Sequence, residues 1–161
     1  MLAQLGLTLH PVKTRVVYLG DGKEGIDFLG FHCHKVESWR QRGRRYLWQW
    51  PGRRAMREVR ERIKEITSPR HRLPEAIKLI VAEVNQVLRG WGAYFRTGNS
   101  SRHFGQVDSY VRERLGLFLS KKTGRTGRRW ESRSLGYFQA LGVYQLAGTV
   151  SWYKATPKAV R

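Results

Sequence analysis

Arg53, Arg57, Arg60 and Lys64 follow one another at steps of four, three and four. On an α-helix that spacing puts four cations on one face. Met56, Val59, Ile63 and Ile66 form an apolar stripe beside them, and Glu58, Glu61 and Glu65 occupy a different arc. A helix that packs on one side and offers a cationic ridge next to it suits a phosphate backbone. The plainer alternative is a solvated face laced by intrahelical ion pairs. A second constellation interleaves Arg40, Arg42, Arg44 and Arg45 with Trp39, Tyr46, Trp48 and Trp50. Guanidinium groups hold phosphates while rings stack bases; equally, Trp48 and Trp50 are candidates for the core of a hairpin. A third group, Lys121, Lys122, Arg125, Arg128, Arg129 and Arg133, has almost no apolar company. It reads as a Gly-punctuated loop that becomes ordered on nucleic acid.

Catalytic constellations are sparse. Metal-assisted phosphoryl transfer needs clustered carboxylates to hold the ions that neutralise developing charge. The chain has three aspartates, and Asp21 and Asp27 fall in or beside a turn. His32 and His34 project to one side of a strand but lack a third nearby ligand, and Cys33 points the other way, toward a core. No glycine-rich phosphate loop and no nucleophile triad is present. No metal and no cofactor is expected.

These groups need elements to hold them. Thirty-one Lys and Arg against 12 Asp and Glu give +19 over 161 residues, which suits one domain, or one domain and a fragment of another. The excess is uneven: in residues 1–34, Lys13, Arg15 and Lys23 are cancelled by Asp21, Glu24 and Asp27. No apolar run reaches the roughly 18 residues of a spanning helix, and the N-terminus lacks the pattern of a secretory signal. One cysteine excludes an internal disulfide. A polyanion binder inside the cell, without a membrane partner, is the expected class.

The first part reads as β. After a short helical stub broken at His10-Pro11, Arg15–Leu19 and Ile26–Val36 carry strand patterns around a turn at residues 20–25. A third strand runs from Arg45 to Trp50. The second part reads as α. A helix over Arg53–Ile66 is followed by one starting near Pro74, with the stripe Ile77, Ile80, Val84, Leu88, Trp91 and Phe95. Residues 99–101 (Asn-Ser-Ser) offer an N-cap for a third helix with Phe104, Val107, Val111, Leu115 and Phe118 inward. A short helix, an apolar segment and a basic tail close the chain. The expected fold is α+β, mainly α: a small antiparallel sheet followed by a three-helix bundle.

Several stretches, in this order, resemble the C-terminal part of group II intron reverse transcriptases, or maturases. Residues 5–14 (LGLTLHPVKT) are similar to the segment after the family's catalytic palm, and Asp27–Phe31 (DFLGF) to its primer-grip hairpin. Val87–Arg96 (VLRGWGAYFR), with Asn85 before it, resembles the centre of the maturase-specific thumb domain. Val107–Leu119, Trp130 and Tyr137 fit its continuation, so the resemblance covers almost the whole chain.

The resemblance implies a palm remnant over residues 1–50 and a thumb over 51–161. It implies that Phe28, Leu29, Gly30 and Phe31 form a primer grip, and that Arg53, Arg57, Arg60, Arg89 and Arg96 face RNA. The implied partner is structured intron RNA, whose own chemistry performs splicing. An RNA–DNA or DNA duplex and a separate palm-and-fingers chain are further implied partners. The implied location is the bacterial cytoplasm, or a nucleoid or organelle. The family's Tyr-Ala-Asp-Asp-type motif, its fingers and its endonuclease domain have no counterpart here. An expressed fragment, a split subunit and a decayed remnant all fit that pattern. The runner-up reading is one piece of an RNA-directed DNA polymerase; a general DNA-binding protein lacks a helix-turn-helix spacing to support it. Without metal-binding carboxylates, the purified chain is expected to give no primer extension on any template with Mg²⁺ or Mn²⁺. Contaminant-free polymerisation would show that a carboxylate cluster exists.

Overall fold

The computed structural model describes residues 25–38, 42–124 and 135–151. The stub, the His10-Pro11 break, the strand at Arg15–Leu19, and Trp39, Arg40, Arg125, Arg128, Arg129, Trp130 and Arg133 lie outside the described residues.

Ile26–Val36, one strand by its residue pattern, is two, joined where the resemblance implies a hairpin over Asp27–Phe31. β1 (Ile26–Phe28) and β2 (Phe31–Glu37) pair antiparallel with Phe28 opposite Phe31, which leaves Leu29 and Gly30 as the whole turn. Both have positive φ, 48° and 80°. This is the turn geometry whose twist matches that of the flanking strands. Asn-Gly is its usual sequence signal; a leucine in the first position hides it. Leu29 has no glycine freedom, and its carbonyl is held by a hydrogen bond from Tyr94 Oη at 2.9 Å. β3 (Arg45–Pro51) pairs with β2 from Phe31 opposite Pro51 to Glu37 opposite Arg45, giving the order β1-β2-β3. Period-two alternation puts Cys33 on the covered face, where it is buried, as expected. Desolvation, then the charge of Asp27, pushes its thiol pKa up.

Four helices follow: α1 (Arg53–Thr67), α2 (Ile77–Phe95), α3 (Ser101–Lys122) and α4 (Leu135–Ala140). The expected stripes meet in one core. Val59 and Ile63 of α1 pack with Ile80, Val84 and Leu88 of α2 and with Phe104, Val107, Val111, Leu115 and Phe118 of α3. Sheet and bundle share contacts: Phe31 lies 4.8 Å from Phe95 between ring centroids, and Gly52 N–H donates to Gly30 O at 2.8 Å. Ser100 stands where the N-cap of α3 was expected, but its hydroxyl donates back to Thr97 O instead of capping.

Two helix limits differ from expectation for one reason. α2 starts at Ile77, not near Pro74, because residues 70–75 are held in another shape. Arg72 reaches the carboxylates of Glu75 and Glu83 and the carbonyl of Ile66, closing a 3₁₀ turn at Arg70–Arg72. Lys122 Nζ donates to the carbonyls of Leu73, Pro74 and Glu75. Lys121 and Lys122, expected in a loop, are therefore the last turn of α3.

The bonds to Arg72 hold Glu75 and Glu83 below the usual carboxylate pKa and raise that of Arg72 itself. A carboxylate with a lowered folded pKa stabilises the fold fully above its unfolded pKa of about 4.3 and stops doing so as pH falls through the folded value. Urea unfolding across pH 2–7 is expected to show stability falling below about pH 4.3. In Arg72→Met that acid limb is expected to be flatter; an identical limb would mean that the two carboxylates act through other partners.

Asp108 closes the bundle. Buried on α3, it accepts the backbone N–H groups of Leu146 and Ala147 at 3.0 and 2.8 Å. Asn85 does the same work nearby, accepting from Tyr144 N–H and donating to Gly142 O, each at 2.8 Å. Leu146, fully buried, presses on α2 where Gly92 has no side chain; a Cβ there would collide with Leu146 Cδ2. Asp108→Ala strands two N–H groups and is expected to cost about 2–4 kcal/mol. Hydrogen exchange should accelerate first at Leu146 and Ala147, and uniform acceleration instead would place the loss elsewhere.

Candidate nucleic-acid interface

The sheet's uncovered face carries a line of rings. Cross-strand register puts His34 opposite Trp48 and His32 opposite Trp50. Centroids of Tyr46 and Trp48 are 6.1 Å apart, those of Trp48 and Trp50 6.4 Å, and those of Trp50 and His32 4.9 Å. The line ends on α3, where His103 lies 6.3 Å from Trp50 with the ring planes 12° apart. Trp48 is 38% exposed, so it is not the hairpin core that was one of its two sequence readings. Tyr46 and Trp48 are exposed, and Trp50 is half-buried between sheet and α3.

At the Trp50 end, sheet, α1 and α3 enclose a concavity of about 660 Å³ lined by Asp27, His32, Trp50, Arg53, Arg60 and His103, among others. A more open hollow of about 850 Å³ shares Arg60 and Gln106 with it and adds Arg102, Tyr110 and Arg112. Together they make a basic groove along α1 and α3. Arg60 is half-buried, its Nε without a hydrogen-bond partner, its guanidinium 6.0 Å from the Tyr110 centroid. His103 Nδ1 is likewise buried and unpartnered. Burial, then the nearby charges of Arg102 and Arg60, lowers the His103 pKa, so the imidazole is neutral at neutral pH. Two carboxylates line these hollows: Asp27 in the first accepts from His32 Nδ1 at 2.7 Å, and Glu113 lies in the second beside Arg112.

The helix-1 ridge does not act as a unit. Arg53 and Arg60 line the concavity, Arg57 lies 3.9 Å from Glu61, and Lys64 borders a separate hollow with Glu61 and Glu65. The angular spacing is as expected; along the axis the four reach different surroundings. Arg54 and Arg62 form the tighter ion pairs, with Glu58 and Glu65.

The remaining candidates are dispersed. Arg42, Arg44 and Arg45 are exposed at the far end of the β2–β3 hairpin, beyond Tyr46. Arg89 sits 5.4 Å over the Tyr144 ring, and Arg96 is exposed at the end of α2. Lys121 is exposed, whereas Lys122 is bonded to the 73–75 carbonyls. In the β1–β2 hairpin, Phe28 and Leu29 project at 62% and 68% exposure, while Phe31 turns inward against Phe95. His32 and His34 face the same side, and among the described residues no cluster of His, Cys, Asp and Glu could hold a metal ion. No helix of the described residues is long and apolar enough to cross a membrane.

Sequence reading missed Arg102, His103, Gln106 and Arg112. Their signal is the polar face of α3, opposite the Phe104–Val107–Val111 stripe, but two arginines diluted among Ser, Gly and Glu do not stand out.

No curated protein matches the chain. The family model of the group II intron, maturase-specific domain matches residues 56–138. The match takes in most of α1, all of α2 and α3 and the start of α4, just over half of the sequence. The matched part holds Arg60, Arg102, His103 and Arg112 of the groove, while Arg53 and the sheet lie before it, and the chain belongs to the group II intron maturase-specific domain family.

Proposed function

We propose that this chain binds folded group II intron RNA through the α1–α3 groove and the ring-lined sheet face, and so assists the RNA in reaching its splicing-competent fold. The family indicates a maturase-type role in group II intron splicing. The observation that carries the RNA-binding reading is the joined pair of concavities. Arg53, Arg60, Arg102 and Arg112 line it, with base-sized rings at one end and arginines again at the far end of the hairpin. Phosphates need the cations and unpaired bases need the rings. The site residues are thus proposed as Arg53 and Arg60 with Arg102 and Arg112, supported by Arg42, Arg44 and Arg45. Binding is tested with folded intron RNA, scrambled RNA and duplex DNA at several salt concentrations. Preference for the folded intron is expected; equal affinity for all three would leave only a general polyanion binder.

A second reading has an observation of its own. The exposed Phe28–Leu29 tip, braced by Tyr94, suits contact with a primer strand held by a palm on another chain. Residues 1–50 would then complete that palm and 51–161 hold the duplex. Primer extension that requires both a separately supplied palm-and-fingers chain and this one, and that drops in Phe28→Ser, is the result expected of that reading.

A further inference from the structure

We propose that the concavity between the sheet and the α1–α3 pair captures one unstacked RNA nucleotide, its base against Trp50 and His103 and its phosphate on Arg53 and Arg60. The proposal rests on the RNA-binding reading above. At about 660 Å³ the space is of the size that encloses small molecules, too small for a duplex. Trp50 and His103 lie within 12° of parallel, so one planar ligand can lie along both faces. Trp50 is braced by His32, which is itself fixed by Asp27. That bond also occupies the one carboxylate of the lining that could have neutralised an arginine.

The polar groups fit the same ligand. Glu58, Glu61 and Glu65 pair with Arg54, Arg57 and Arg62, leaving Arg53 and Arg60 with no ion-pair partner among the described residues. Arg60 and His103 both line the cavity, and Arg60 Nε and His103 Nδ1 have no partner within the protein. A neutral imidazole nearly parallel to Trp50 offers a second planar face against which a base can stack. Bases inside a helix are stacked and closed to such a site, so the nucleotide must come from a bulge or loop.

The test uses the full chain and three hairpin RNAs: one with a single-nucleotide bulge, one with an abasic residue at that bulge, and one fully paired. The bulged RNA is expected to bind about tenfold more tightly than the abasic one, the scale of one base stacked on an aromatic side chain. 2-Aminopurine at the bulge is expected to lose fluorescence on binding to the unmutated protein, a readout that needs no variant. Trp50→Ala should erase the discrimination and Trp50→Tyr restore it, with fold checked by circular dichroism. Arg60→Gln should weaken bulged and abasic RNA alike. Equal affinity of the unmutated protein for bulged and abasic RNA, with unchanged 2-aminopurine emission, overturns the nucleotide site and leaves RNA binding standing. No affinity for any RNA, folded intron included, overturns both.

Discussion

Replacing Arg53, Arg60, Arg102 and Arg112 together by Gln is expected to make the salt dependence of intron-RNA binding shallower by about two to three log–log units, from roughly 0.7–0.9 per phosphate contact with allowance for partial ones. Gln stays polar and keeps helix propensity, so the bundle survives and the slope reports the lost charge. Preference for folded intron over scrambled RNA should fall less than affinity, because phosphate contacts position a protein more than they specify sequence. The ridge that sequence spacing singles out, Arg53, Arg57, Arg60 and Lys64, makes the control. Arg57 faces Glu61, and Lys64 sits beside Glu61 and Glu65, so those two cations are locally offset. Their quadruple Gln variant is expected to change the slope by less than the groove variant does. A folded groove variant with an unchanged slope would move the phosphate contacts elsewhere, most directly to the Arg42–Arg45 hairpin end.

The helices were legible because a three-helix bundle imposes one apolar stripe per helix, and each predicted stripe contains residues with essentially no exposure, such as Ile63, Ile80 and Phe104. The glycines of the RGWG run were legible only as a motif. In space they differ: Gly90 faces nothing within 4 Å, whereas Gly92 makes room for Leu146, a residue more than 50 positions later. The misses share that non-local origin. Arg72, an ordinary surface cation by composition, decides where α2 begins because Glu83 comes within reach after the chain turns. Lys122 looks like part of a basic tract until its ammonium finds three carbonyls at the end of another loop. The Leu29-Gly30 turn is missing from the strand pattern and is signalled only by the resemblance of Asp27–Phe31 to a hairpin; Tyr94, 65 residues away, holds the leucine carbonyl. The candidate site was half legible for the same reason. Its α1 arginines and sheet rings stand out in the sequence. The α3 wall that turns them into a groove becomes visible only once α3 is packed beside α1.

Trp91 separates the aromatic residues that hold the bundle from those that serve the surface. It lies on the stripe of α2, half-buried, with ring centroids 4.9 Å from Phe95 and 5.5 Å from Phe104, while Tyr46, Trp48 and Trp50 face outward from the sheet. Trp91→Ala opens a hole between α2 and α3 and is expected to cost about 3–5 kcal/mol in urea unfolding, the range of large aromatic truncations. Its indole Nε1 is buried without a hydrogen-bond partner, so part of the native ring works against stability. Trp91→Phe keeps an aromatic ring against Phe95 and Phe104 and removes that N–H. It is expected to cost less than about 1.5 kcal/mol despite the smaller volume. Intron-RNA affinity of folded Trp91→Phe should match the parent, whereas Trp48→Ala should bind RNA more weakly with little change in melting. The reverse pattern, a Trp91→Ala protein that melts like the parent but loses RNA, would make Trp91 a stacking residue and shift the RNA surface from the sheet and α1–α3 groove to α2.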